Sequence, residues 1–211
     1  GQPTRVTLAR AKLQAEAALA KRKVGEVVNL RAFTMAARRA SQRAQEAMAA
    51  KDFREAIRAK EQQVLQSAMA DVAAKIPAEV KKGVAALKEF DGKDLDQGKR
   101  RVIDYVYAGR ALATAYKVQE KPETTQEAEL IAKGLETVKE DAPMLWERLS
   151  PLLKSRPVDL KELSLAEFRE VVEVAEWLWQ AGKDAAELNA DGKRIAMATA
   201  VESLNGEIAA R

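Results

Sequence analysis

The chain has 211 residues, of which 47% are apolar, 32% charged and only 5% aromatic, with a net charge of +4. It contains no Cys and no His. Disulfides, thiolate or imidazole metal sites, Cys nucleophiles and Ser-His-Asp triads are therefore excluded, and any enzyme chemistry would fall to carboxylates, Lys, Tyr or bound Mg²⁺.

Ala, Glu, Lys, Leu, Arg and Gln dominate, and β-branched runs are absent. This composition favours helix throughout. The expected fold is all-α, a bundle of about eight helices with a long antiparallel hairpin near the N-terminus. No apolar run reaches the roughly 20 residues that span a bilayer, and Arg5, Arg10 and Lys12 break up any signal-peptide pattern. No membrane partner is expected. Gly1 in place of Met reads as a tag remnant, so the chain is expected to be a fragment of a longer protein. Charge is uneven. Residues 1–76 hold 15 Lys and Arg against 7 Asp and Glu, whereas residues 77–211 hold 21 against 25. A basic first region, 1–76, and a mildly acidic helical bundle, 77–211, are expected, joined or separate.

In chain order, Val6, Ala9, Leu13, Ala17, Ala20 and Val24 predict a first helix over residues 4–24, stopped by Gly25. Asn29 is a good N-cap for the next helix. Its seam is Leu30, Phe33, Ala37, Ala40, Ala44 and Ala47, a 3.5-residue repeat of mostly small side chains that lets a neighbour approach closely. Ala50-Lys51-Asp52 reads as a corner. Asp52 with Glu55 has capping-box spacing. Phe53, Ile57, Val64, Ala68, Val72 and Ile76 would form the facing stripe. Pro77 predicts a boundary or kink at Ile76.

Residues 78–90 resume helical spacing, and Phe90-Asp91-Gly92 reads as a turn. A helix from Asp94 to about Lys117 carries Val102, Val106, Gly109 and Ala113 with three tyrosines, which predicts a central position. Thr124 with Glu127 caps another helix to about Lys139, and Pro143 opens a short one bearing Trp146. Ser164 with Glu167 is the cleanest cap. It precedes a stripe of Leu165, Phe168, Val172, Ala175 and Trp179, with Gly182 expected to end or bend the helix. Asp191-Gly192 reads as a turn before a last helix with Ile195, Thr199, Leu204 and Ile208. The Pro-bounded stretches near residues 120 and 155 are the predicted linkers.

Candidate binding residues fall into two groups. Arg31, Arg38, Arg39, Arg43, Arg54 and Arg58 lie on the hairpin. They could meet phosphates of a nucleic acid. Yet no aromatic interleaves them and Glu46, Glu55 and Glu61 dilute them, so a solvated helix face is the favoured reading. Trp177 and Trp179 sit about 200° apart on an ideal helix. Either that helix is buried on two sides or one Trp marks a protein contact.

No catalytic, cofactor or metal site emerges. Asp91, Asp94 and Asp96 lack the Gly and Glu of a calcium loop. Gly182-Lys183 and Gly192-Lys193 lack the rest of a phosphate loop. Lys99-Arg100-Arg101 lies among acidic residues, and Glu170, Glu173 and Glu176 have no partner ligand in i, i+4 register.

Residues 39–57, with Lys51-Asp52-Phe53 and Glu55-Ala56-Ile57 at their corner, resemble the inter-helix corner of a tetratricopeptide repeat, in one copy only. A broader resemblance is to the helical segments of large polyvalent proteins of bacteriophages and other mobile elements. It rests on Ala56, Lys60, Gln63 and Leu65 after the corner, and on residues 163–173 followed by the two Gly-Lys pairs. Residues 91–160 do not share it. The resemblance implies a non-catalytic module of a phage- or prophage-encoded chain, in the bacterial host cytoplasm or the virion. Its partners would be flanking domains or other proteins. A nucleic-acid-binding domain and a peptide-binding scaffold are the alternatives.

Overall fold

In the computed structural model of the chain, the description covers residues 5–28, 31–90, 100–190 and 194–210; the side chains at 6, 31, 100–102, 185–190 and 194–201 lie outside it. The fold is all-α. Nine helices are described: α1 (Arg5–Ala20), α2 (Val24–Val27), α3 (Arg31–Ala49), α4 (Phe53–Lys88), α5 (Arg100–Ala115), α6 (Thr125–Asp141), α7 (Pro143–Leu149), α8 (Leu165–Ala190) and α9 (Arg194–Ala210). The expected Asn29 cap, the Asp91-Gly92 turn, the Asp94 cap and the Asp191-Gly192 turn lie outside the described residues.

Local chemistry sets most helix ends. The side chains of Asp52, Thr124 and Ser164 each accept the N–H of the Glu three residues on, at 3.2, 3.2 and 3.1 Å. The α3–α4 corner closes by a Schellman pattern. Asp52 N–H donates to the Ala47 carbonyl at 2.9 Å and Lys51 N–H to Met48 at 3.1 Å, with Lys51 left-handed at φ 58°. The end of α5 repeats it, with Lys117 at φ 59° and Val118 N–H on Ala113.

Contacts divide the chain into two compact units. The first is Gly1–Lys81 with Lys161–Glu167, and the second is Lys82–Leu160 with Phe168–Arg211. In the first unit α1 stops at Ala20, short of the predicted residue 24. The chain turns because Val24 N–H donates to the Leu163 carbonyl at 2.8 Å and Leu165 N–H to Arg22 at 2.9 Å, a two-bond antiparallel bridge. Lys23 and Glu162 pair across it at 3.0 Å. Gly25, predicted as a stop, lies inside α2, where a Cβ would stand 3.3 Å from the Lys161 carbonyl.

The α3 seam packs as its spacing predicts. Phe33, Ala40, Ala44 and Ala47 are buried and Ala37 is half-buried. Two predicted stripes are corrected. On α1 the buried face is Ala11, Ala15 and Leu19, while Leu13 is 68% exposed. On the first turns of α4, Ala56 and Ala59 are buried and Phe53 and Ile57 are exposed. In both places alanines face inward, with Leu19 beside them on α1, and permit close backbone approach.

The helix boundary expected at Ile76 does not occur, because α4 runs through Pro77 to Lys88. Pro77 forgoes one N–H bond, to the Ala73 carbonyl. Ala73 and Ile76, both fully buried beside it, hold the helix against that loss.

The second unit is organised on α5, as its residues predict. Tyr105, Val106, Ala108, Leu112, Ala113 and Tyr116 are buried. Helix α5 packs on α6, and α7 contacts both α6 and α9. Gly134 of α6 is the point of closest approach, since a Cβ there would overlap the Asp104 carbonyl oxygen of α5. The buried Asp104 carboxylate accepts from the Thr137 hydroxyl at 2.8 Å across the same contact. Gly109 leaves the notch that holds the Phe90 ring, and Gly83 the space for Phe168. Arg148 of α7 pairs with Glu170 of α8 at 3.0 Å.

Neither predicted linker behaves as one. Gln119 donates to the Lys88 carbonyl, Val158 N–H to Ala115, and Leu152 and Leu160 are buried. Their prolines interrupt helix but not packing. Gly182 does not end α8, since the helix continues to Ala190. The roughly 1 kcal/mol helix penalty of a Gly is outweighed by burial at Leu178 and Ala181.

Candidate interaction surfaces

The hairpin arginines spread over two helices. Arg38, Arg39 and Arg43 on α3 and Arg54 and Arg58 on α4 are all exposed, and the Arg31 side chain lies outside the described residues. Spacing explains what the fold brings together. Arg39 and Arg43 are one helical turn apart, so they share a face. That face lines a polar groove of about 550 Å³ between α3 and α4, together with Gln42, Glu46, Gln62 and Gln66. Gln42 donates to Glu46 at 3.2 Å. The groove thus offers two guanidinium groups, one carboxylate and several amides. Arg38, Arg54 and Arg58 do not line it. A phosphate would find only a small positive excess there, and no ring of the groove could stack on a base.

The two tryptophans separate. Trp177 is 6% exposed and belongs to the second unit's core. Trp179 is 38% exposed, and its ring meets Phe90 edge-on with centroids 6.1 Å apart. The broad burial of Phe168, Val171, Val174, Ala175, Trp177 and Leu178 shows why. Helix α8 is covered around most of its circumference, and Trp179 stands at the edge of that cover.

Sequence reasoning missed a further surface. Helices α1 and α4 flank an apolar groove of about 540 Å³. Val64, Ala68 and Val72, expected to face α3, line this groove instead, with Leu8 of α1 beside them. A signal was present. Helix α4 carries a second apolar set at Ala56, Ala59, Met69 and Ala73, all buried. Two stripes on one helix imply two neighbours.

Exposed apolar residues concentrate around these helices. Of the eight large ones among the described residues, Leu8, Leu13, Val28, Met35, Met48, Phe53 and Ile57 lie in the first unit and only Trp179 in the second. Among the described residues no group of three acidic side chains converges to hold a metal ion, and no helix is long and apolar enough to cross a membrane. Compared with protein-family models, with curated proteins and with solved structures, the chain finds no match in any of the three.

Proposed function

We propose that this chain is a non-enzymatic helical interaction module whose first unit holds another protein segment. The observation that carries this reading is the concentration of exposed Leu, Met, Phe, Val and Ile in that unit. Scattered apolar residues are ordinary on a protein surface, but among the described residues seven large ones are exposed in the first unit against one in the second, which favours a surface from which a partner displaces water. The polar groove is the weaker alternative, because Glu46 beside Arg39 and Arg43 leaves a phosphate only a small positive excess. The resemblance of Ala56, Lys60, Gln63 and Leu65 after the corner, and of residues 163–173, to segments of phage and mobile-element polyvalent proteins supports a setting inside a larger chain. There, neighbouring domains or other proteins would be the partners.

Affinity capture from cells that make the protein tests the reading, comparing the native chain with Ile57→Glu and Leu13→Glu and identifying recovered chains by mass spectrometry. One protein species recovered by the native chain and lost from both variants supports it. Equal recovery by all three overturns it. A duplex-DNA titration at two salt concentrations is the companion measurement. Salt-sensitive binding that disappears in Arg39→Glu would favour the nucleic-acid reading instead.

A further inference from the structure

Helix α4 lines the apolar groove from Lys60 to Lys75 with residues three and four apart, so a single face of four turns is open. At 1.5 Å per residue that face is about 22 Å long, the length of a docked helix of about four turns. Its floor is Leu8, Val64, Ala68 and Val72. Leu8 is 50% exposed and Val64 and Ala68 are half-buried, whereas Val72 is already buried, so the surface left to cover lies at the first three. Its rim carries Lys12, Lys60 and Lys75 against the single carboxylate of Asp71. The floor suits small and medium apolar side chains on one helix face, and the rim suits carboxylates beside them.

We propose that the groove between α1 and α4 binds an amphipathic helix of a partner protein, with an apolar ridge of i, i+4, i+7 spacing flanked by Asp or Glu. This rests on the interaction reading above and names the partner's chemistry. The first unit of a second copy would be a poor occupant, because its residues 1–81 and 161–167 carry 17 Lys and Arg against 10 Asp and Glu and would bring like charge to the lysine rim.

The test uses the full chain and two synthetic peptides of about sixteen residues, long enough to cover the four-turn face. Both carry Leu on one helical face; one has Glu and the other Lys on the flanks. Because the chain has no Cys, Ser67→Cys on the groove wall takes a single environment-sensitive dye. The Glu peptide should shift the dye emission and bind about tenfold tighter than the Lys peptide at low salt. In Lys12→Glu/Lys60→Glu the order should reverse, and Ala68→Arg, which fills the floor, should remove binding of both. Equal affinities, or a preference that survives the charge reversal, overturn the proposal. Self-association of the chain that Ala68→Arg abolishes would also overturn it, by placing a second copy in the groove. If the peptides fail while partner capture remains sensitive to Ile57→Glu, only the groove assignment falls. If both fail, the interaction reading falls with it.

Discussion

The two units are made from the same helix-forming alphabet and bury it differently. Of the twelve largest fully buried side chains, nine belong to the second unit, Tyr105, Tyr116, Phe90 and Phe168 among them. The first contributes only Leu19, Ile76 and Leu165. Its α1 and α3 seams are mostly alanine, with Phe33 and Leu19 among them, and seven of its large apolar residues are exposed. An alanine seam brings helices close but removes little apolar area per residue, so the burial term stays small. The second unit keeps its bulk inside and spends its glycines on close contacts. Self-sufficient packing and an unfinished surface thus sit in one chain.

Perturbing the second unit's core should have the largest effect. Leu112 is fully buried in α5, and Leu112→Ala should cost about 3–4 kcal/mol, read as a lowered urea midpoint. All three tryptophans, Trp146, Trp177 and Trp179, lie in this unit, so their fluorescence follows its unfolding alone. Helical circular dichroism follows both units. If the contrast between them is real, the dichroism should begin to fall at lower urea than the fluorescence; coincident curves would show the two melting as one.

Gly134→Ala should come next, at about 2–3 kcal/mol, because the intruding methyl meets backbone of α5 that no rotamer change can move. A smaller effect, of opposite sign, is expected at the α3–α4 corner. Lys51 holds a left-handed backbone that glycine adopts without strain, so Lys51→Gly should stabilise by about 1 kcal/mol. It would do so without covering any exposed apolar residue.

The smallest effect belongs to Lys23, whose pKa is raised first by its hydrogen bond to Glu162 and then by that carboxylate's charge. A value raised on folding gives a contribution that is complete below the unfolded-chain pKa and lost as pH climbs through the folded one. Lys23→Gln should therefore be slightly less stable than the native chain at neutral pH. The two should converge above the ordinary lysine range and at high salt. A difference that grows with pH would contradict this assignment.

Much of this was legible in the residues. Asp52, Thr124 and Ser164 announced their helices because a cap is a bond between a side chain and a backbone three residues away. The α3 seam was readable because Phe33, Ala40, Ala44 and Ala47 offer one stripe and no rival. The failures share a cause. Pro77 and Gly182 are local signals against helix, yet helix continues through both beside fully or nearly buried residues, Ala73 and Ile76 at the first and Leu178 and Ala181 at the second. Ala20 ends α1 because Val24 binds Leu163, a partner 139 positions along, which no local pattern near residue 20 encodes.

Of the candidate contacts, the arginines were correctly seen as exposed where their side chains are described, but their division between a polar groove and open surface depends on the α3–α4 pairing. The apolar groove was hidden by assigning all of α4's stripe to one neighbour. By itself, then, the sequence determined that this protein is helical and where most helices begin, since propensity and caps act within a few residues. Which of two equivalent stripes is buried, and which is left open to water, was decided only by tertiary structure. An apolar face has no inside or outside until another helix covers it.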